Sequence, residues 1–171
     1  MTSYTEGPET ARLIHRAMVP GDAEAFYALN SHPDVMRYTG EPPIASLEDA
    51  RAAIEHYPDF RTVGYGRWGC VLKGTGELIG FCGLKYLDDL DEVDVGFRLL
   101  PEYWGRGLAT EACRASLAFG FETIGLASVI ALVLPENGAS VRVLEKCGMT
   151  CRCTVNYDGL DALKYVIERA G

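Results

Sequence analysis

Apolar residues along this chain fall in short runs separated by glycine, proline or acidic breaks, and the spacing predicts alternating strands and helices. Residues 11–17 read as a strand, Pro20-Gly21 as a turn, and 22–30 as a helix capped by Asp22. A loop with a short turn through Met36 leads to a Pro42-Pro43 break. A helix over 46–57 then starts at Ser46, with Asp49 three residues on, close to a capping box. Residues 66–73 form a strand that Gly74-Thr75-Gly76 turns back into a second, 78–84. The acidic stretch Asp88-Asp89-Leu90-Asp91-Glu92 reads as a solvated turn. Strand 92–100, helix 107–123, strand 127–134 and helix 138–146 follow, and strands 151–157 and 160–168 meet at Asp158-Gly159, a hairpin signal. No repeat, low-complexity tract or linker interrupts the order. The expectation is one domain, 1–171, of the α/β class, with a mixed central sheet flanked by helices.

The most informative segment is Pro101-Glu-Tyr-Trp-Gly-Arg-Gly-Leu-Ala-Thr110, between the predicted strand 92–100 and the helix that follows. The first amides of a helix have no partner inside it, and the aligned peptide dipoles leave roughly +0.5 charge at that end. Gly105 and Gly107 let the backbone turn sharply beside a ligand. Strand, glycine loop and helix start together point to a diphosphate-bearing cofactor. The loop lacks the third glycine of a dinucleotide fingerprint and the Lys of a nucleotide-hydrolysing loop, so both of those chemistries are disfavoured. The plainer reading is a helix entered through a glycine turn.

Trp104-Gly105-Arg106-Gly107-Leu108-Ala109 resembles the acetyl-coenzyme A loop of the GNAT superfamily of N-acetyltransferases, Gln/Arg-x-x-Gly-x-Gly/Ala, except at its first position. A Trp there resembles the branch that acetylates the N-termini of ribosomal proteins. Leu134-Pro-Glu-Asn137-Gly-Ala-Ser140 and the helix that ends at Gly148 resemble the second cofactor element of the same superfamily. His32-Pro-Asp-Val-Met-Arg-Tyr-Thr39 resembles the loop before the acceptor site in that branch. The resemblance runs from about Arg12 to Ile167.

What the resemblance implies can be written residue by residue. The strands carrying Val95 and Val133 run parallel and splay apart, with acetyl-coenzyme A in the gap as co-substrate and no metal. Gly105, Arg106, Gly107, Leu108, Ala109 and Thr110 hold the diphosphate. Asn137, which can both donate and accept, suits the pantetheine amides. A main-chain N–H in the stretch Phe97, Arg98, Leu99 polarises the thioester carbonyl. Asp94 is the candidate base, with Glu92 on the same strand face as the alternative. The position of the usual tyrosine proton donor is Leu144, so Ser140 is the candidate acid; a hydroxyl there could equally serve helix capping. Tyr38, Tyr65 and Trp68 are candidate acceptor-pocket residues. The implied reaction moves an acetyl group to a primary amine, with a peptide or protein α-amine expected. A small-molecule amine such as an antibiotic or polyamine, or acetyl-coenzyme A sensing without turnover, remain the alternatives.

Composition narrows the partners further. A net charge of −8 argues against nonspecific nucleic-acid binding and suits a cationic amine. The longest apolar stretch, Leu126–Leu134, is too short to span a bilayer. Met1–Glu9 has neither a basic start nor an apolar run, so no signal peptide is expected, and a cytoplasmic monomer or homodimer is. The six cysteines make no zinc pattern. Cys151 and Cys153 would share a strand face with Val155 and Tyr157 and read as small core residues. His15, His32 and His56 are scattered, without an obvious partner in sequence.

Overall fold

Two rows of large apolar residues build the core. In the computed structural model, which describes residues 1–171, Leu84 and Val95 point from neighbouring strands onto helix α5 (Leu108–Phe119), where Cys113 and Leu117 meet them. The residues between them in sequence face the opposite way, because successive strand side chains alternate. The sheet has eight strands: β1 (Glu6–Glu9), β2 (Leu13–Arg16), β3 (Arg67–Leu72), β4 (Leu78–Leu87), β5 (Glu92–Leu99), β6 (Ser128–Val133), β7 (Thr150–Tyr157) and β8 (Leu160–Glu168). Their order is β1-β2-β3-β4-β5-β6-β8-β7, and β5–β6 is the one parallel neighbour pair. Helices α5 and α6 (Gly138–Lys146) cover one face. On the other side stand α1 (Ala23–Ser31) with α2 (Pro33–Met36), α3 (Leu47–Glu55) and α4 (Asp59–Thr62).

The expected mixed α/β sheet is the one found, with differences at element ends. Ser46 caps α3 as expected, accepting from the Asp49 amide at 3.0 Å. Asp22 sits at the start of α1, but its carboxylate bonds the Arg16 guanidinium and the Val19 amide, so it ties the preceding turn rather than capping the helix. The helix read as 107–123 stops at Phe119 and unwinds through one wider turn, Gly120–Ile124. Strand β1 was not expected, since Gly7 and Pro8 look like a break. Gly7 is there because it lies against Trp68: a Cβ on it would stand 2.6 Å from the indole.

Cys151 and Cys153 do not join the core. Both are exposed on the edge strand β7, and a bulge lets Cys151 face Tyr165 while Cys153 faces Lys164. The inserted residue breaks the alternation on which a shared face depends. At the hairpin tip, Asp158 and Gly159 both take positive φ, 50° and 81°, as the turn type requires.

His15 is buried against Trp68. Its Nδ1–H donates to Pro8 O at 2.8 Å, and Nε2 has no partner. Burial lowers its pKa, outweighing the Pro8 carbonyl and Glu111. The unfolded chain therefore binds a proton near pH 6.5 that the folded chain refuses, so stability falls as pH drops below that value, by at most about 1.4 kcal/mol per pH unit. Urea midpoints measured at pH 7.5, 6.5 and 5.5 are expected to decline over the lower half of that range, and His15→Gln to remove the decline. Equal wild-type midpoints would mean that His15 takes up its proton freely in the folded state.

Candidate functional site

The site begins where β5 and β6 separate. Asp94–Ile130 is their one ladder pair. Leu100 N–H bonds Ile79 O on β4 at 2.9 Å, so by strand alternation the N–H groups of Phe97 and Leu99 leave the opposite edge, toward the gap. In a continuing parallel ladder the Leu132 N–H of β6 would find a β5 carbonyl. It is taken instead by Asp94 Oδ2, at 3.3 Å.

Beyond the gap, Pro101–Tyr103 makes a single tight turn, and Trp104 folds back so that its Nε1 donates to Leu99 O at 2.8 Å. Gly105 and Gly107 follow with φ of 75° and 77°, a region that favours glycine. The amides of residues 105–110 have no acceptor within the protein, and they run directly into the first turn of α5. Six consecutive free donors at a helix start form an anion cradle. Arg12 braces it from behind: Nη1 donates to Arg106 O at 2.9 Å, and Nε meets Glu111 Oε1 at 2.8 Å. Thr10 Oγ1 holds the other Glu111 oxygen at 2.6 Å.

An open cleft of about 1810 Å³ starts at this loop and passes the strand gap to the α1–α4 side of the sheet. Of the cradle residues, Gly105, Gly107, Leu108, Ala109 and Thr110 line it, whereas the Arg106 side chain lies on the Tyr103 ring, 5.3 Å from its centre, and does not line it. Asn137 and Ser140 line it from α6. Asn137 is the cap of that helix, its Oδ1 accepting from Ser140 N at 3.2 Å, and the Ser140 hydroxyl makes no hydrogen bond within the chain. Capping therefore falls to Asn137. Leu144 is buried beneath them.

On the far side of the gap, Asp94 is 7 % exposed and pairs with Arg67, Oδ1 to Nη2 at 2.6 Å. Burial raises the Asp94 pKa above the ordinary carboxylate value, against the pull of Arg67, the Leu132 amide and Lys85. Glu92, the alternative base, is bonded to Lys164 and does not line the cleft. Lys85 pairs with Asp59 at 3.2 Å, and the Tyr57 hydroxyl donates to the same carboxylate at 2.8 Å. Farther out, Arg98 joins the sheet to α1 and to the loop after α2, donating to Asn30 Oδ1 at 2.8 Å and to Glu41 Oε2 at 3.0 Å. Tyr38 lines this end. The tip of the β7–β8 hairpin meets the same loop, where a Cβ on Gly40 would stand 2.5 Å from Leu160.

Two expected pocket residues lie elsewhere. Trp68 is fully buried, its Nε1 donating to Tyr4 O at 2.8 Å and its ring against Phe119, and Tyr65 is packed in the same core. The residue beside Trp68 on β3, Arg67, is the one that faces the cleft. Arg67, Lys85 and Arg98 were not singled out as side chains from the sequence. The signal for Arg67, the cross-strand glycines Gly83 and Gly96, needs the register of three strands to be seen.

The sequence pattern described as the acetyltransferase (GNAT) domain matches residues 12–150. An uncharacterised N-acetyltransferase of Bacillus subtilis, YoaA, is 36 % identical over 142 residues, covering 82 % of this chain and 80 % of its own length. The crystal structure of a GNAT-family acetyltransferase from Bacillus anthracis superposes with a TM-score of 0.80 at 28 % identity, over 94 % of this chain and 97 % of that one. A spermidine N-acetyltransferase from Vibrio cholerae, solved with CoA and spermine, shares the fold with a TM-score of 0.77 at 21 % identity, over 93 % and 96 % of the two chains.

The brace behind the cradle generates a test. Removing the guanidinium in Arg12→Ala frees the Arg106 carbonyl and one of the three hydrogen bonds to Glu111, while the fold keeps its core. Amide exchange at Glu111, the first N–H of α5 with an acceptor (Gly107 O at 3.0 Å), is expected to rise about tenfold, corresponding to about 1.4 kcal/mol of local stability. Unchanged exchange by mass spectrometry would show that the loop holds its shape without Arg12.

Proposed function

Because the chain belongs to the GNAT acetyltransferase family, we propose that it moves the acetyl group of acetyl-coenzyme A to a primary amine, most specifically the α-amine of a peptide or protein. The observation that carries the donor half is the run of six unpaired amides at residues 105–110 beside a splayed strand pair. They suit a diphosphate with no lysine required. Asn137, with an amide nitrogen that has no partner in the chain, suits the pantetheine arm that would pass along α6.

At the gap, the N–H groups of Phe97 and Leu99 receive the charge that develops on the thioester carbonyl oxygen. The amine nitrogen bonds to that carbon and the carbon–sulfur bond breaks. The amine's proton leaves through water toward Asp94, and the Ser140 hydroxyl returns one to the departing thiolate. Ser140 is free to do so because Asn137 carries the helix cap.

On the acceptor half, Asp94, Asp59 and Glu41 are already paired with Arg67, Lys85 and Arg98, whereas Asp49, Glu55 and Asp158 line the cleft without an ion pair, so carboxylate pairing does not choose between a single amine and a polycation. An α-amine, with a pKa near 8, needs less help to lose its proton than a lysine amine near 10.4. The Trp104 loop and Ser140 in place of a tyrosine point the same way.

Steady-state kinetics separate the roles of the α6 residues. Ser140→Ala is expected to lower kcat by about 10²-fold with KM little changed, and Asn137→Ala to raise the KM for acetyl-coenzyme A, since one contact is used at the transition state and the other in the ground state. Ser140→Ala with wild-type kcat would leave water as the proton source. Mass spectrometry of peptides with free and blocked N-termini tests the acceptor, with acetylation expected only of the free ones. Acetylation of a lysine, polyamine or aminoglycoside with free N-termini untouched would overturn the α-amine reading.

A further inference from the structure

Arg67 has no counterpart among the residues expected from the sequence, yet it has the most elaborate setting in the cleft. Its guanidinium reaches across the sheet from β3, over β4, to β5. Nη1 donates to Gly83 O at 2.8 Å and to Asp94 O at 3.0 Å, and Nη2 to Asp94 Oδ1 at 2.6 Å. Its own main-chain N–H donates to the Tyr57 hydroxyl at 2.9 Å. The path is kept clear by glycine: a Cβ on Gly96 would stand 2.6 Å from Nη2 and 2.7 Å from the guanidinium carbon. Arg67, Gly83 and Gly96 are cross-strand partners in register, so the side chain lies along a row that only small residues could leave open.

The far end of this reach is the fork of β5 and β6. There Asp94 Oδ2 accepts the Leu132 N–H in place of the β5 main chain. A carboxylate on a short side chain, fixed on its other oxygen by a planar two-pronged donor, has little freedom left to swing. We propose that Arg67 is a positioning residue for acetyl transfer, holding the Asp94 carboxylate as a wedge that sets the opening between β5 and β6. This deepens the reading of Asp94 as the group that draws off the acceptor's proton, and it rests on that reading for its pH dependence. The width of the fork governs where the Phe97 and Leu99 amides stand relative to the thioester carbonyl, and displacement of reacting groups by about 1 Å can lower a rate about a hundredfold.

Two effects follow from one residue, and they can be read separately. Asp94 is faced by Arg67 from β3, Lys85 from β4 and the Leu132 amide from β6, Tyr157 of β7 lines the same cleft, and Cys113 of α5 lies across the sheet with Val95. Arg67 is the nearest cation, so its loss is expected to move the acid limb of kcat to higher pH by about one unit or more. A lysine keeps a charge but lacks the fork that holds three oxygens at once.

The experiment compares Arg67→Lys, Arg67→Met and Asp94→Asn by kcat–pH profiles, by the KM for acetyl-coenzyme A, and by hydrogen exchange of the Leu132 amide in an isotopically labelled sample. Arg67→Lys, in which a cation remains to support folding, is expected to lose at least about tenfold in kcat, with KM changed less than about twofold and faster Leu132 exchange. Arg67→Met, if it folds by circular dichroism, is expected to show the shifted acid limb as well. Asp94→Asn that keeps the wild-type acid limb overturns Asp94 as the proton acceptor and leaves the wedge to be judged on kcat and exchange. The positioning proposal itself is overturned if Arg67→Lys matches wild type in both of those readouts.

Discussion

Parallel strands that part leave main-chain donors with nothing to bond, and the whole site depends on how this sheet meets that constraint. A buried N–H without an acceptor costs roughly 1–3 kcal/mol, so each group at the fork has to be accounted for. Leu132 is satisfied by a side chain, Asp94. The Leu99 carbonyl is satisfied by Trp104. The Phe97 and Leu99 amides face an open cleft, where water or a ligand can reach them. The gap is therefore a place where the sheet's own bonding has been replaced piece by piece, with a few donors left over for chemistry.

The replacement is itself held by a nearly buried ion pair. Arg67 and Asp94 have side chains 17 % and 10 % exposed. Burying both charges gains little net stability, but removing either alone leaves the other stranded at a cost of about 3–5 kcal/mol. Such a pair is thus poor at strengthening a fold and good at excluding other arrangements of it. The same division runs through the cradle, where Arg12 and Glu111 fix loop shape at a surface exposed enough that their Coulomb attraction alone would be weak.

Much of this was legible in the residues. The glycine loop, the Asn137–Ser140 element and the order of strands lie in contiguous sequence, where turn chemistry and periodicity act locally, and the family resemblance rests on them. The other features needed information that is not local. Trp68 and Arg67 are neighbours on one strand, and choosing the wrong one as the cleft residue is a one-position error that reverses the face. The row Arg67-Gly83-Gly96 exists only once β3, β4 and β5 are aligned. Cys151 and Cys153 were misread because a bulge between them shifts the register. Strand β1 was missed because Gly7 looks like a break until the Trp68 ring is seen to lie against it.

The end of the cleft lined by Tyr38 is secured in a different way from the glycine loop. Helix α1 and the loop after α2 are joined to the sheet by Arg98 at Asn30 and Glu41, and that loop to the hairpin tip by an apolar touch between Leu160 and Gly40. None of these contacts involves the cradle or α6, although Arg98 itself stands on β5 between Phe97 and Leu99. Substitutions around Tyr38–Gly40 and Leu160 therefore fall at the cleft's rim, away from the glycine cradle and α6. If the proposed roles hold, a lineage built on this sheet is free to keep one donor while exchanging customers, with its diversity collecting at that rim.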